Sequence, residues 1–317
     1  MLNPLVSIVL PTYNGEEYIS NSIQSVLNQT YTNWELIVVN DCSTDGTLEI
    51  INNFSKQDSR IKIINNDKNM KLPASLNRGF KEANGKYYTW TSDDNEYYPE
   101  AIAKMVNFLD EHQEYGMVYA ICQLLNCPKD QINVWGEIPA TVENLLEFSV
   151  CAACFLYRKT VAEEVGEYDT NTFLAEDHDY WLRIRLKYKI ANINEVLYKY
   201  RLHSNSLTSL NKNKARLLGI KLEIKYQPLF LAKCSNNKKY ISKKIYIWSI
   251  GINHDLQTLN EVKREFKVND IYKELKHLYT LEPDSTILKM ICSLGFLYKF
   301  KAIKLFLKGG RTSWKIF

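Results

Sequence analysis

The sequence predicts an α/β protein: a doubly wound, mostly parallel sheet followed by a basic, mainly helical C-terminal region. Three observations carry that prediction. Short apolar runs of the buried-strand type alternate with stretches of helical periodicity through the first third of the chain. The connections between them suit only crossovers, so neighbouring strands run parallel. Charge then divides the chain: of 317 residues with net charge +4, residues 211–317 hold 22 Lys+Arg against 8 Asp+Glu, net +14, which leaves net −10 for residues 1–210. An acidic first part suits a metal-dependent site, and a basic last third suits an anionic surface.

The elements follow in order. Leu5 to Leu10 is an apolar run broken by Pro11-Thr12-Tyr13-Asn14-Gly15. Asn14 and Glu17 have the spacing of a capping box, and Tyr18, Ile19, Ile23, Val26 and Leu27 recur at helical spacing through Gln29. Trp34 to Val39 is the second strand, and Asp45 is placed to cap a helix from Thr47 to Phe54. Ile61 to Ile64 is the third strand, and Pro73 to Ala83 a helix. Tyr87 to Thr91 is a fourth strand, ended by Ser92-Asp93-Asp94-Asn95. Helix Pro99 to His112 and strand Met117 to Leu125 follow, then an irregular excursion over 126–140 that contains Trp135. Glu176-Asp177-His178-Asp179 precedes a helix from Tyr180 to Tyr188, with Asp179 as its cap. The basic region reads as helices over 212–231, 240–251, 256–279 and 287–307.

Composition narrows the class. With 45% hydrophobic and 24% charged residues the chain has the make-up of a soluble globular protein. Its seven cysteines are odd in number and scattered, which favours a reducing, cytoplasmic compartment over a disulfide framework. Cys151-Ala-Ala-Cys154 has the spacing of a metal or redox pair, but its apolar surroundings favour buried positions. No basic leader with an apolar core and no long apolar run is visible.

Polar residues stand at three strand ends: Thr12, Tyr13 and Asn14; Asp41 and Asp45; Asp93 and Asp94. In a parallel sheet these ends share one edge, where open α/β sheets bind ligands. Paired carboxylates there suit Mg²⁺ or Mn²⁺ with phosphate partners, and a polar turn that caps a helix is the competing reading. GxGxxG and GxxxxGK[ST] are both missing after the first strand, which excludes the usual dinucleotide and P-loop sites.

Val-Ser-Ile-Val-Leu-Pro-Thr-Tyr-Asn at 6–14, Val-Asn-Asp-Cys-Ser-Thr-Asp-Gly-Thr at 39–47, Leu-Asn-Arg-Gly at 76–79, Ser-Asp-Asp at 92–94 and Ala-Glu-Asp-His-Asp-Tyr-Trp-Leu-Arg at 175–183 occur in that order. Together they resemble the inverting glycosyltransferases of the GT-A fold, family 2-like, over roughly residues 4–208. The resemblance implies transfer of a sugar from a nucleotide diphosphate donor, usually UDP-linked, to an acceptor hydroxyl. It implies that Pro11, Thr12, Tyr13, Asn14, Asp41, Arg78, Asp93 and Arg201 line the donor site. Asp94 would hold the metal, Mn²⁺ or Mg²⁺, and His203 would complete its shell. Asp177 would be the general base, with Glu176 positioning the acceptor or the base. The acceptor would be a saccharide or lipid-linked sugar in bacterial surface polysaccharide or glycolipid synthesis, with no nucleic acid partner. A non-catalytic sugar-nucleotide-binding or scaffold protein of the same fold is the alternative.

Two positions depart from the family pattern. Thr91 stands where many relatives carry a further Asp, and Lys71 where Gly is common. Trp135 is open to two roles, stacking on a sugar ring or covering a helix. Residues 1–208 are expected to form the catalytic domain and 209–317 a helical region. That region either packs on the domain or meets the inner face of the cytoplasmic membrane as a peripheral contact.

Overall fold

In the computed structural model, β1 (Val6–Thr12), β2 (Trp34–Asn40), β3 (Ile61–Asn65) and β4 (Tyr87–Trp90) pair in parallel. The described residues are 3–127, 133–141 and 150–231, with Tyr272, Lys276, Tyr279 and Ile291. Every residue of β1 and β2 is buried, the pattern of strands covered on both faces. α1 (Ile19–Leu27), α2 (Thr47–Gln57) and α3 (Leu72–Lys81) are the crossovers. The carboxyl ends of these strands therefore share one edge, as expected.

The second half mixes directions. β8 (Cys154–Arg158) runs antiparallel to β4 and to β6 (Tyr115–Leu125), while β9 (Lys189–Arg201) runs parallel to β6. β5 (Glu96–Tyr97) pairs antiparallel with the end of β9, and β7 (Val134–Trp135) adds to β6. The order is β3-β2-β1-β4-β8-β6-β9-β5. Periodicity did not foretell β9, whose thirteen residues mix Lys, Asn and Glu with apolar side chains and whose register on β6 shifts three times. α4 (Ala101–Glu111), α5 (Lys159–Val165), α6 (Glu176–Lys187), α7 (Leu207–Leu210) and α8 (Lys212–Leu231) complete the described elements.

Two capping expectations are corrected. Asn14 and Glu17 form no capping box: Asn14 adopts φ 54° and turns its side chain to the β2–α2 loop, where Oδ1 accepts from the Thr44 amide at 2.8 Å. Tyr18 is the N-cap of α1 instead, without a side-chain bond. Asp179 does not cap α6, which begins earlier, at Glu176; its carboxylate accepts from Arg183 Nε at 2.8 Å one turn on. Asp45 does serve α2, accepting from the Thr47 amide at 3.1 Å.

Cys151 and Cys154 are both buried, Cys154 within β8. The Trp135 ring meets Tyr200 of β9 edge-on, centroids 5.5 Å apart. The chain divides into two compact units, Met1–Leu222 and Glu223–Phe317. The expected helix at 212–231 is α8, while those over 240–251, 256–279 and 287–307 lie outside the described residues but for single positions. Among the described residues no helix is long and apolar enough to cross a membrane.

Candidate functional site

Two clusters stand along the carboxyl edge of the sheet, and a third forms the start of α6. The first is built by β2 and β3. Asp41, 4% exposed, accepts from Asn66 Nδ2 and the Met70 amide through Oδ1, each at 2.7 Å, and from the Lys71 amide through Oδ2 at 2.9 Å. Arg78 Nη1 donates to Asn66 Oδ1 at 2.6 Å, so Asn66 joins the two residues that sequence assigned to the donor. Both Asp41 oxygens thus anchor the β3–α3 loop. That anchorage explains Lys71, whose φ of 72° and ψ of 162° suit glycine and which is held there by its bond to Asp41.

The second cluster joins β1, β4 and the end of β9. Thr12 Oγ1 donates to Asp93 Oδ2 at 2.5 Å, and a methyl group on Gly15 would collide with both. Burial first, and then the charge of Asp94, push the Asp93 carboxyl up to about 7. Asp94 Oδ2 lies 3.0 Å from His203 Nε2, and Asp94 Oδ1 is buried with no hydrogen-bond partner among the described residues. Arg201 Nε donates to the Asp94 carbonyl at 3.1 Å, its amide to Asn95 Oδ1 at 2.8 Å, and Nη2 to Glu96 Oε1 at 2.9 Å. The Arg201 charge is therefore already paired with Glu96. Pro11 and Thr12 are buried, whereas Tyr13, 49% exposed, and Asn14 project from the edge.

The third cluster is the start of α6. Glu176, 5% exposed, accepts from the Leu174 amide at 2.8 Å, and Asp177 Oδ1 accepts from the His178 amide at 2.6 Å. Burial raises the proton affinity of both carboxyls, and for Glu176 the charge of Asp177 adds to it. Leu174, just before them, has φ 89°. Of the five non-glycine residues at positive φ among those described, Asn14, Cys42, Lys71 and Leu174 flank these clusters. Strain of that kind gathers where the surrounding structure holds side chains to a task.

Backbone and aromatic residues tie the clusters together. The Asp41 amide donates to the Thr12 carbonyl at 2.8 Å, which joins the first two. Burial raises the Tyr200 phenol to about 12, and the charges of Asp94 and Asp177 add to that rise. Asn77 of α3 bonds both the carbonyl and the amide of Tyr168, at 2.9 and 2.8 Å, and Tyr168 stacks on Tyr180 of α6 with centroids 4.0 Å apart. Sequence reasoning missed Asn66, Tyr168 and Tyr200, and also Tyr18, whose ring contacts both Arg201 and His203. The only written signal for Tyr200 was its place beside Arg201.

The donor set suits a hard divalent cation only in part supplied by protein. Asp94 and His203 offer two ligands, the partnerless Asp94 Oδ1 is the kind of atom a cation satisfies, and no group of three or more ligating side chains occurs among the described residues. Mg²⁺ and Mn²⁺ accept such sparse sets because water and substrate phosphate fill the rest.

Residues 7–166 match the family described as Glycosyl transferase family 2. A glycosyltransferase of Haemophilus influenzae, described as uncharacterized, is 31% identical over 307 residues, spanning 91% of this chain and 84% of that one. The putative teichuronic acid biosynthesis glycosyltransferase TuaG of Bacillus subtilis is 30% identical over 218 residues, 67% of this chain and 84% of its own. Among solved structures, S. aureus TarS 1-349 in complex with UDP superposes with TM-score 0.62 at 17% identity, over 96% of this chain and 92% of that one. The mannosyltransferase PcManGT of Pyrobaculum calidifontis, in complex with GDP-Man and Mn²⁺, gives TM-score 0.60 at 14% identity, over 98% and 89%. These two share the fold.

Proposed function

Since the chain belongs to glycosyl transferase family 2, we propose that it is a metal-dependent, inverting glycosyltransferase that moves a sugar from a nucleotide diphosphate donor to an acceptor hydroxyl. The donor is UDP-linked in this reading, in keeping with the UDP held by TarS; PcManGT, with GDP-Man, marks the other base to test. The acceptor belongs to a bacterial surface polysaccharide or glycolipid, the chemistry named for the teichuronic acid relative.

The observation that carries this reading is the Asp94–His203 pair at the end of β4, 3.0 Å apart, with Asp94 Oδ1 buried and left without a hydrogen-bond partner among the described residues. In this reading donor and acceptor carboxylates face one space. Tyr13 and the Asp41 loop receive the base and ribose, with Asp93 toward the ribose. Asp94 and His203 would hold the cation, which supplies positive charge beside the departing diphosphate, where negative charge grows in the transition state. Asp177 takes the proton from the acceptor hydroxyl as that oxygen attacks the anomeric carbon from the face opposite the nucleotide. The bond to the diphosphate oxygen breaks with its electron pair, and the configuration inverts. A carboxyl whose proton affinity is raised by burial, as that of Asp177 is, is a stronger base than an exposed one.

A panel of nucleotide sugars, each assayed for release of free nucleotide with Mn²⁺, with Mg²⁺ and with chelator, tests the reading. Metal-dependent release from one donor is the expected result. Release that survives chelation, or a chain that binds none of the donors, would overturn it.

A further inference from the structure

Tyr18 opens α1, yet its ring serves residues from the far end of the domain. The Arg201 guanidinium carbon lies 4.7 Å from the ring centroid, and the His203 imidazole lies 5.4 Å away, centroid to centroid, tilted by 59°. Arg201 and His203 are two residues apart in an extended segment, the spacing that brings side chains to one face. Both lean on Asp94, Arg201 on its carbonyl at 3.1 Å and His203 on its carboxylate at 3.0 Å. The arrangement is a layered one, with the Tyr18 ring on the outside, the two cationic or ligating side chains in the middle, and Asp94 within. Tyr18 is half-buried, while the apolar residues that α1 packs away are Ile19, Ile23 and Val26. Its ring contacts are with the charged and ligating groups of this strap.

We infer that Tyr18 is a positioning residue, whose ring holds the Arg201–His203 strap against Asp94 and thereby sets the geometry that a divalent cation and a diphosphate require. The inference rests on the reading of Asp94 and His203 as the cation's protein ligands. An aromatic face attracts the guanidinium and restricts the imidazole, so each loses less freedom when cation and diphosphate arrive. Without the ring, Arg201 keeps Glu96 as a partner and His203 keeps Asp94.

The test is Mn²⁺ titration of the full chain by electron paramagnetic resonance, with UDP present, on wild type, Tyr18→Ala, Tyr18→Phe, His203→Ala and Asp94→Asn. Tyr18→Ala is expected to weaken Mn²⁺–UDP binding by about 5- to 10-fold, the size of a cation–π and aromatic contact. Tyr18→Phe, which keeps the ring, is expected to restore it. In the His203→Ala background the same Tyr18→Ala change should cost no more than about twofold, because residues that act through one another are not additive. A purely structural role would lower the melting temperature and leave the coupling at zero. Should Tyr18→Ala fail to fold, Tyr18→Leu keeps the bulk without the π face and carries the same expectation. Wild-type affinity in the Tyr18 variants, or full additivity with His203→Ala, would overturn the inference while Asp94→Asn still loses Mn²⁺. Wild-type affinity in Asp94→Asn would instead overturn the cation site itself, and this inference with it.

Discussion

At the end of β4, Asp93 and Asp94 are tied by side chains from far along the chain: Thr12, 81 residues away, and His203, 109 residues away. At the start of α6, the hydrogen bonds of Glu176 and Asp177 among the described residues come from backbone amides close by in sequence, those of Leu174 and His178. Both are adjacent carboxylate pairs. The first pair is fixed in place by tertiary partners and keeps one buried oxygen, Asp94 Oδ1, for something else. The second is held by local backbone and burial, and burial raises the proton affinity of both its carboxyls, as it does for Asp93 in the first pair. A carboxylate that must bind a cation needs a fixed position; one that must take a proton needs a raised affinity for it.

The comparison breaks most sharply at Asp177. Asp177→Asn keeps the size and the backbone contact but cannot accept the proton, so turnover should fall about 10²- to 10⁴-fold while calorimetry finds UDP affinity unchanged. Retained turnover would remove Asp177 from the reaction. Next in size is the pH dependence of the same pair. Its carboxyls hold their protons above the ordinary range when folded, so the stability they contribute is complete below the unfolded carboxylate pKa and is lost as pH rises through the folded values. Thermal melting of the wild type should therefore drop between mildly acidic and alkaline buffer by more than that of Glu176→Gln, which has no proton to release. Equal slopes for the two proteins would show that Glu176 does not carry the effect.

A smaller effect belongs to the donor side. Gly15→Ala puts a methyl group onto Asp93 Oδ2 and within 2.7 Å of Thr12 Oγ1, so it should cost about 1–3 kcal/mol of stability and weaken UDP binding together. Urea titration and calorimetry on the same sample would check that coupling. The smallest expected change is a gain: Lys71→Gly relieves a backbone conformation that suits glycine, and should stabilise the protein by about 1 kcal/mol after the entropy of the added glycine is counted. A urea midpoint at or below that of the wild type would show that the Asp41 anchor leaves no strain at Lys71.

The first half of the fold was legible because its signals are local. Leu5 to Leu10 and Trp34 to Val39 are continuous apolar runs, and the structure extends them only to Val6–Thr12 and Trp34–Asn40. The second half was not, because β9 alternates too poorly to announce a strand and its pairing with β5 and β6 is supplied by register. The same limit explains Asn14, whose spacing to Glu17 fits a capping box until a positive φ turns its amide across to Thr44.

Amino-acid order alone determined which residues could carry the chemistry, since acids at strand ends and at a helix start are marked by their immediate neighbours. Only the folded chain decided how they are used: that Asp41 is spent on the β3–α3 loop, that Arg201 is paired with Glu96, and that the Tyr18 ring lies against Arg201 and His203. The reason is that such contacts depend on strand order and register across more than a hundred residues, where one step of slip turns every side chain to the opposite face.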